Sequence, residues 1–535
     1  MKKRYIITLF SFLIILISTV FLFACHGKKV NQKDIFKVPK EFDESQEIEL
    51  TFWAKNDSFK EQKEAYNDAI TRFSEYYPNI KITIKNYTDY TAIYNDVITN
   101  IATATTPNIC ITYPDYVATY LQGDNVVIAM DELMNDKNYG FGGSKIKYPG
   151  INKDQLIEKF LDELLIDEKQ YSIPFMRSSE ACYVNKTYVE ELGFTLPDDY
   201  LTWDFVWEVC EKAMEEYGYA PNSKFKPLMV KSSDNMFIQL AKQKNIPYTD
   251  EEGNILLFND ETKDLLRELQ KHCERGLFDT FNHASYPGNF FNRGNCIFAI
   301  DSTAGATWLG SYAPNVDIHE SQIAYFDTAI YPIPQVDVNN PYMISQGPSI
   351  CIFYKDDPQV VLASWLFTQF LLNDDTQIKY AKTEGYIPVT YSAINSSTYQ
   401  EYINNPISKP TNATEDEQYD IKLLASKLVY DNRNNSFITP VFNGSSLVRS
   451  ASKDLIDNTC LDIFKKQSSD TDEYFDALFA KIQTLYKLND FSSDSDLGRL
   501  PNESIALLVT LGVVWVGIGT YFLITKVIKK EKKKN

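Results

Sequence analysis

Strand and helix patterns alternate over the first part of the chain body, and this order restricts the folds it can adopt. Residues 47–52 and 80–84 alternate polar and apolar side chains as strands do, and residues 109–111 form a short apolar strand. Apolar residues recur at helical spacing in the intervening segments, residues 59–77 and 90–104. Because parallel strands are joined by such helical crossovers, the pattern predicts an α/β fold with parallel βαβ units.

The length and charge of the chain narrow its class further. Its 535 residues exceed what one hydrophobic core usually covers, so more than one domain is expected, with two lobes as the simplest arrangement. A hydrophobic share of 44% excludes wholesale disorder. The net charge of −19 would repel a phosphate backbone, so nucleic acid is not expected as a partner.

The N-terminal segment has the features of an export signal. Positive charges at residues 2–4 precede an uncharged run over residues 6–23, and the segment ends at Cys25. This ending resembles the bacterial lipobox, whose cysteine becomes lipidated, so we expect a lipoprotein signal peptide over residues 1–25 and a lipid anchor at Cys25. The alternative is an uncleaved anchor helix. Either interpretation places the chain body outside the cytoplasm.

The C-terminal end carries a second apolar run. Residues 505–524 contain no charged side chain and are followed by a lysine-rich tail. Such a run is long enough to cross a hydrocarbon core of about 30 Å, and lysines beyond it mark the cytoplasmic side. We therefore expect a linker over residues 488–504, a transmembrane helix over 505–525 and a cytoplasmic basic tail over 526–535.

The cysteines and histidines do not suggest a metal site or a cross-linked scaffold. The chain has 8 cysteines without a C-x-x-C pair, and its 4 histidines are far apart in sequence. Cys110, Cys296 and Cys351 lie in apolar runs and are interpreted as small hydrophobic side chains. A disulfide framework is therefore not expected, and neither is a metal or another cofactor.

Six segments of the chain body follow the order found in one known family. They are ELTFWAKND at 49–57, TPNICITYPDYVATYLQ at 107–123, YSIPFMRSSEACYVNKTYVEELGF at 171–194, TWDFVWEVCEKA at 202–213, FNRGNCIFAIDSTAGATW at 291–308 and GYIPV at 385–389. In these segments the chain resembles extracellular solute-binding proteins of the carbohydrate ABC importer class, the family that includes maltose-binding protein. That family often has an aromatic residue at the position of Ala304.

The resemblance implies a two-lobed, periplasmic-binding-protein-like α/β fold that closes on a ligand about a hinge. The implied divisions are an N-terminal tether over residues 26–46, lobe 1 over 47–176 with 347–400, and lobe 2 over 177–346 with 401–487. Chain crossings near residues 174–177 and 345–347 would form the hinge. The resemblance also implies a binding protein without catalytic residues.

Residues at the ends of predicted strands are the first candidates for ligand contact, because ligands of such sheets collect at the carboxyl ends of strands. Trp53 could stack on a sugar ring, and its alternative role is that of a core side chain. Asp115 lies at a family position whose carboxylate accepts sugar hydroxyls, and its alternative role is that of a turn residue. Tyr113 and Tyr116 flank it and could stack on the same ligand.

The predicted hinge and the segment after a later apolar strand supply the other candidates. Arg177 and Ser179 follow the first crossing, and Trp308 lies where the family has an aromatic platform. The full set of expected ligand-binding residues is Trp53, Tyr113, Asp115, Tyr116, Arg177, Ser179, Asp301, Ser302, Trp308, Ser345 and Gly347.

Together these features predict an extracellular, membrane-attached receptor that captures a carbohydrate, with an oligosaccharide favoured, and delivers it to an ABC transporter permease. The expected partners are the small-molecule ligand, the permease subunits and membrane lipid. Two alternatives remain open. One is a sensing or scaffolding receptor built on the same fold, and the other is a glycoside hydrolase with a carboxylate pair in its cleft.

Overall fold

The computed structural model describes most of the chain body. The described residues are 36–56, 60–123, 126–217, 225–250, 252–281, 286–314, 318–405, 413–488, 515 and 517–521. The predicted signal peptide, Cys25, the basic tail and the linker beyond Leu488 lie outside these residues, so they stay predictions.

Fourteen strands occur in the described residues. They are β1 (Ile48–Lys55), β2 (Ile80–Tyr87), β3 (Ile109–Thr112), β4 (Leu165–Ile166), β5 (Lys169–Gln170), β6 (Ile173–Pro174), β7 (Glu180–Asn185), β8 (Leu228–Val230), β9 (Phe278–Thr280), β10 (Phe298–Ser302), β11 (Thr328–Pro332), β12 (Met343–Ile344), β13 (Ser349–Ile352) and β14 (Ser436–Phe437).

The α-helices follow the same chain order. They are α1 (Lys60–Tyr76), α2 (Tyr90–Thr103), α3 (Pro114–Tyr120), α4 (Asp131–Asn135), α5 (Glu158–Asp162), α6 (Lys186–Glu191), α7 (Trp203–Tyr217), α8 (Ser233–Lys244), α9 (Asp260–Glu274), α10 (Pro287–Asn292), α11 (Pro358–Phe370), α12 (Asp374–Ala381), α13 (Tyr391–Asn395), α14 (Ser397–Asn404), α15 (Ala413–Asn432), α16 (Ser445–Phe464) and α17 (Asp472–Leu485). A 3₁₀ segment, Thr303–Trp308, follows β10 directly.

The first lobe is built on a five-stranded sheet in the order β2-β1-β3-β13-β6. Strand β1 pairs in parallel with β2 and β3, as the alternating sequence pattern predicts for βαβ units. Strand β13 comes from much later in the chain and pairs antiparallel with β3 and β6. The sequence periodicity alone did not indicate this return of the chain.

The second lobe repeats the design with a sheet in the order β11-β7-β10-β8-β9. Strands β10, β8 and β9 are parallel neighbours, whereas β7 pairs antiparallel with β10 and β11. Helix α16 packs against α8 and α9 in this lobe, and its N-terminal part also contacts α3 of the first lobe. The predicted α/β fold with two lobes is therefore confirmed.

The chain crosses between the two sheets at two adjacent places. Backbone groups of Ser178 and Gln346 pair in antiparallel fashion, and Arg177 pairs with Ile387. Gly347 has a φ of +133°, and a Cβ atom there would collide with the carbonyl group of Met176. A glycine is required at this position because the two crossing strands approach each other closely.

The C-terminal segment from Asp490 to Asn535 forms a unit separate from the chain body. Within the predicted transmembrane segment, only Trp515 and residues 517–521 are described, and they are helical. Among the described residues, no helix combines the length and apolar character needed to cross a membrane. The finding does not bear out the predicted span, most of which lies outside the described residues.

Candidate ligand-binding cleft

A cavity of about 690 Å³ lies between the two sheets. Its lining comes largely from segments at the carboxyl ends of strands: Lys55 ends β1, residues 113–116 follow β3, and Ser232 lies just beyond β8. Residues 345–347 of the second chain crossing and part of α16 also line the cavity. The cavity therefore occupies the position where parallel α/β sheets collect their ligands.

The wall from the first lobe is aromatic, and we call Tyr90, Tyr94, Tyr113 and Tyr116 the tyrosine wall. Asp89 caps α2 by accepting a hydrogen bond from the amide of Ala92, which fixes the first turn of that helix. Tyr90 and Tyr94 are four residues apart and therefore share one helix face. The ring centroid of Tyr90 lies 4.3 Å from that of Tyr113, and the ring centroid of Tyr94 lies 4.5 Å from that of Tyr116.

The wall from the second lobe carries charge, and we call Glu180, Lys231, Asp234, Arg449 and Lys453 the charged wall. Lys231 Nζ lies 2.7 Å from an oxygen of Asp301, and Lys453 Nζ lies 3.1 Å from an oxygen of Asp457. Burial lowers the pKa of Lys231, but the effect of Asp301 outweighs it and the pKa is raised overall. Two of the wall's cations are thus held by carboxylates of their own lobe.

Arg449 connects the two walls. Its Nη2 atom lies 3.0 Å from Asp234 and also donates to Asn235, while its Nε atom lies 3.9 Å from Asp115 of the first lobe. Although burial lowers the pKa of Arg449, the two carboxylates Asp234 and Asp115 raise it above its usual value. Arg449 therefore stays charged and holds one residue from each lobe.

Glu180 begins β7 beside the chain crossings and is only 1% exposed. One of its oxygens, Oε1, accepts hydrogen bonds from Asn235 at 2.8 Å and from Gln346, which lies at the second crossing, at 3.0 Å. Burial raises the pKa of Glu180 to about 7, and the neighbouring carboxylate of Asp301 adds to the increase. Its protonation therefore changes in the physiological range.

Three carboxylate oxygens on the cavity have no hydrogen-bond partner among the described residues. They are Oδ1 of Asp115, Oε1 of Glu163 and Oε2 of Glu180, and each is buried. Burying a carboxylate oxygen without a donor is costly. These oxygens are acceptors buried just beneath the cavity lining, so a ligand carrying hydroxyl or amino donors would satisfy them once the lining side chains move aside.

The comparisons with known proteins agree with this geometry. A model of the bacterial extracellular solute-binding protein family matches residues 68–407, which is more than half of the chain. The chain belongs to this family. Members of the family bind solutes rather than transform them, so the chain is not an enzyme, and the glycoside hydrolase alternative is set aside.

One curated relative is the sn-glycerol-3-phosphate-binding periplasmic protein UgpB of Rhizobium meliloti (strain 1021). It is 26% identical over a 239-residue alignment, which covers 42% of this chain and 51% of the relative. The chain thus matches about half the length of that protein.

Solved structures show the same fold at low identity. UgpB from Mycobacterium tuberculosis in complex with glycerophosphocholine is 16% identical, has a TM-score of 0.58, and is matched over 81% of this chain and 98% of its own. An ABC substrate-binding protein from Listeria monocytogenes in complex with cycloalternan is 14% identical, with a TM-score of 0.60 and coverage of 83% and 100%. Maltose-bound MalE3 of T. maritima is 13% identical, with a TM-score of 0.58 and coverage of 82% and 100%.

Most of the ligand contacts predicted for this solute-binding protein lie on the cavity. These residues are Tyr113, Asp115, Tyr116, Arg177, Ser302, Trp308, Ser345 and Gly347. Their roles in binding stay predictions, and two of them make hydrogen bonds within the protein. The guanidinium of Arg177, which is 3% exposed, donates to Glu163 and to the carbonyl group of Phe160, and the hydroxyl of Ser345 donates to Glu163.

Three predicted contacts do not line the cavity. Trp53 is 8% exposed, and its ring packs on that of Tyr87 at 5.5 Å with Lys85 over its face. Ser179 is buried and donates to the carbonyl group of Ile344. Asp301 is buried and accepts a hydrogen bond from Lys231, which does line the cavity.

Several lining residues were not predicted from the sequence. They include Tyr90, Tyr94, Glu163, Lys231, Asp234, Asn235, Tyr386, Arg449 and Lys453. The spacing of Tyr90 and Tyr94 on a helix beside a strand end was a usable signal. Arg449 gave none, because it lies on a helix far from the other segments in sequence.

Proposed function

We propose that this chain is an extracellular, membrane-attached receptor that captures a carbohydrate of oligosaccharide size and delivers it to an ABC transporter permease. Membership of the solute-binding family supports the receptor role. The proposed lobes are those expected from the sequence, residues 47–176 with 347–400 and residues 177–346 with 401–487, and ligand would bridge them. Lipidation at Cys25 and the C-terminal helix would hold the receptor at the membrane.

The observation that carries the carbohydrate assignment is the set of partnerless carboxylate oxygens on the cavity. When the lining side chains move on binding, a neutral polyhydroxyl ligand would supply hydroxyl donors to Asp115, Glu163 and Glu180. Charge-assisted hydrogen bonds of this kind contribute about 1.5–3 kcal/mol each. The tyrosine wall and Trp308 offer ring faces for stacking on the apolar side of a sugar.

The same observation disfavours a phosphate-bearing ligand such as those named for the two UgpB proteins. A phosphate needs unpaired cationic donors, whereas Arg177, Lys231, Arg449 and Lys453 each have a carboxylate within 4 Å. The remaining lining cation, Lys55, lies over the ring of Tyr90. The partnerless groups on the cavity named above are acceptors, and a phosphate oxygen facing them would be repelled. We therefore rank a neutral sugar above a phosphate ester.

A thermal-shift panel on the soluble body, residues 30–490, tests this choice. The probes are maltose, maltotriose, cycloalternan, sn-glycerol 3-phosphate and glycerophosphocholine. A ligand at 100 times its Kd adds about 2.7 kcal/mol to stability, which gives a clear shift in Tm. We expect a shift with at least one neutral sugar and none with the phosphates. A shift with the phosphates alone would contradict the proposal.

A further inference from the structure

Two cysteines that are far apart in sequence meet in the second lobe. Cys273 lies in the last turn of α9, and Cys460 lies in α16, which packs against it. Their Sγ atoms are 2.7 Å apart across a sequence separation of 187 residues. Both side chains are buried, so they face each other inside the lobe and not toward solvent.

We propose that Cys273 and Cys460 form a disulfide bond in the exported protein. A disulfide needs a sulfur separation of about 2.05 Å, so the two Sγ atoms have to approach by only about 0.7 Å. The bond would form outside the cytoplasm, where disulfides persist, and in this respect the inference rests on the proposed extracellular location.

The chemistry balances with a thiol–disulfide oxidoreductase as oxidant. One cysteine thiolate attacks the oxidoreductase disulfide, forms a mixed disulfide and releases one oxidoreductase thiolate. The second cysteine thiolate then attacks the first cysteine's sulfur in the mixed disulfide and releases the other oxidoreductase thiolate. The product is the Cys273–Cys460 bond, and the oxidoreductase leaves with two thiols, having taken two electrons. Burial raises the pKa of the Cys460 thiol, which keeps it protonated in the folded lobe. Exchange therefore takes place during folding, before α9 and α16 close over the pair.

The bond would have a structural consequence for the cleft. Helix α16 carries Arg449, which reaches Asp115 of the first lobe. A cross-link near the other end of α16 would tie this helix to α9, so that Arg449 moves with the second lobe as one body. Because the bond closes a long loop, it removes much conformational freedom from the unfolded chain.

A second cysteine pair provides a matched internal control. Cys110 and Cys351 lie directly opposite each other on β3 and β13, and both are buried. Opposed residues in an antiparallel pair have Cβ atoms about 4.5–5.5 Å apart, or closer in non-hydrogen-bonded pairs, and the two thiols lie within hydrogen-bonding reach of each other. Cys110 and Cys351 are therefore the competing thiol pair, and thiol mapping shows which of the two pairs is oxidised.

Thiol mapping of the full chain, exported with its leader and isolated without reductant, tests the inference. The protein is unfolded, alkylated, digested and analysed by mass spectrometry, with surface proteolysis of intact cells reporting export separately. Of the seven cysteines in the described body, five should alkylate without reductant and all seven after reduction. The Cys273 and Cys460 peptides should be recovered as one species that separates on reduction.

A second preparation and one variant complete the test. Reduced, unfolded protein is refolded in a glutathione redox buffer, so the pair is tested even if export fails. We expect the same cross-linked peptide, and a Tm about 5–10 °C higher in the absence of reductant than in its presence. The Cys273→Ser, Cys460→Ser double variant should lose this difference. Alkylation of both cysteines in both preparations, or a bond between Cys110 and Cys351 instead, would overturn the inference.

Discussion

The two walls of the cleft are built in opposite ways. The tyrosine wall comes from two short segments of one lobe, residues 90–94 and 113–116, each beside the end of a strand. The charged wall gathers Glu180, Lys231, Asp234, Arg449 and Lys453 from segments spread over most of the second lobe's sequence. The first wall offers contact area and the second offers hydrogen-bonding groups, so a ligand that bridges them needs both ring faces and hydroxyls.

The largest expected effect concerns Glu180 in the charged wall. Its pKa in the folded protein is about 7 against an ordinary value of 4.5. Because the pKa of Glu180 is higher in the folded protein, its favourable contribution to the free energy of unfolding is complete below pH 4.5 and is lost as pH rises through 7. By pH 8 this loss amounts to roughly 3 kcal/mol.

Glu180→Gln removes the titrating group and keeps its shape. Melting curves of the unliganded protein should therefore show the variant gaining stability over the unchanged protein between pH 5 and pH 8. Glu268→Gln is the matched control, since Glu268 is a partly exposed carboxylate paired with Lys244 away from the cavity. An equal difference at both pH values for Glu180→Gln would show that Glu180 does not titrate there.

Asp115 is expected to have the next largest effect, because it is the carboxylate by which the first lobe meets the charged wall. Asp115→Asn keeps the side-chain size but turns a charged acceptor into a weaker one. We expect a loss of about tenfold or more in affinity for the sugar identified by thermal shift, consistent with roughly 1.5 kcal/mol for a charged hydrogen bond. Calorimetric titration measures this.

The alternative role of Asp115 is separable by its effect on folding. Its Oδ1 atom has no partner among the described residues, and Arg449 is 3.9 Å away. The unliganded Tm should therefore change little. A large drop in Tm with unchanged affinity would return Asp115 to the role of a structural turn residue.

The smallest effect distinguishes the two tryptophans that were predicted as ligand contacts. Trp308 lies on the cavity and Trp53 does not. Trp308→Ala should weaken sugar binding by roughly tenfold through lost stacking, with a modest change in stability. Trp53→Ala should lower the Tm and leave affinity nearly unchanged. The reverse pattern would assign the stacking role to Trp53.

The position of Trp53 shows where sequence reasoning fell short. Alternation correctly placed Phe52 and Trp53 on opposite faces of β1. Phe52 packs on Phe367 of α11, and Trp53 packs on Tyr87 at the other face. Both faces of a largely parallel sheet are covered by other elements. Trp53 therefore lies in the core although it is on the face opposite Phe52, and it does not reach the cleft.

The residues that follow strands were easier to predict than those that meet by folding. Tyr113, Asp115 and Tyr116 were found because they follow β3, and Ser302 was found because it ends β10. Arg449 and Glu180 both contact Asn235 of α8 only because α16 packs on α8, and Gln346 reaches Glu180 where the chain crosses between the sheets. No local pattern encodes such contacts, and the same holds for Cys273 and Cys460.

The central claim is that the cleft binds a neutral sugar through carboxylates, with Glu180 accepting a hydroxyl. A donor to Glu180 favours its ionised form, so binding should tighten as pH rises through about 7. Calorimetric titration at pH 6 and pH 8, with the sugar found in the thermal-shift panel, measures this directly. We predict tighter binding at pH 8 in the unchanged protein and loss of the difference in Glu180→Gln. Equal affinity of both proteins at both pH values would contradict the account.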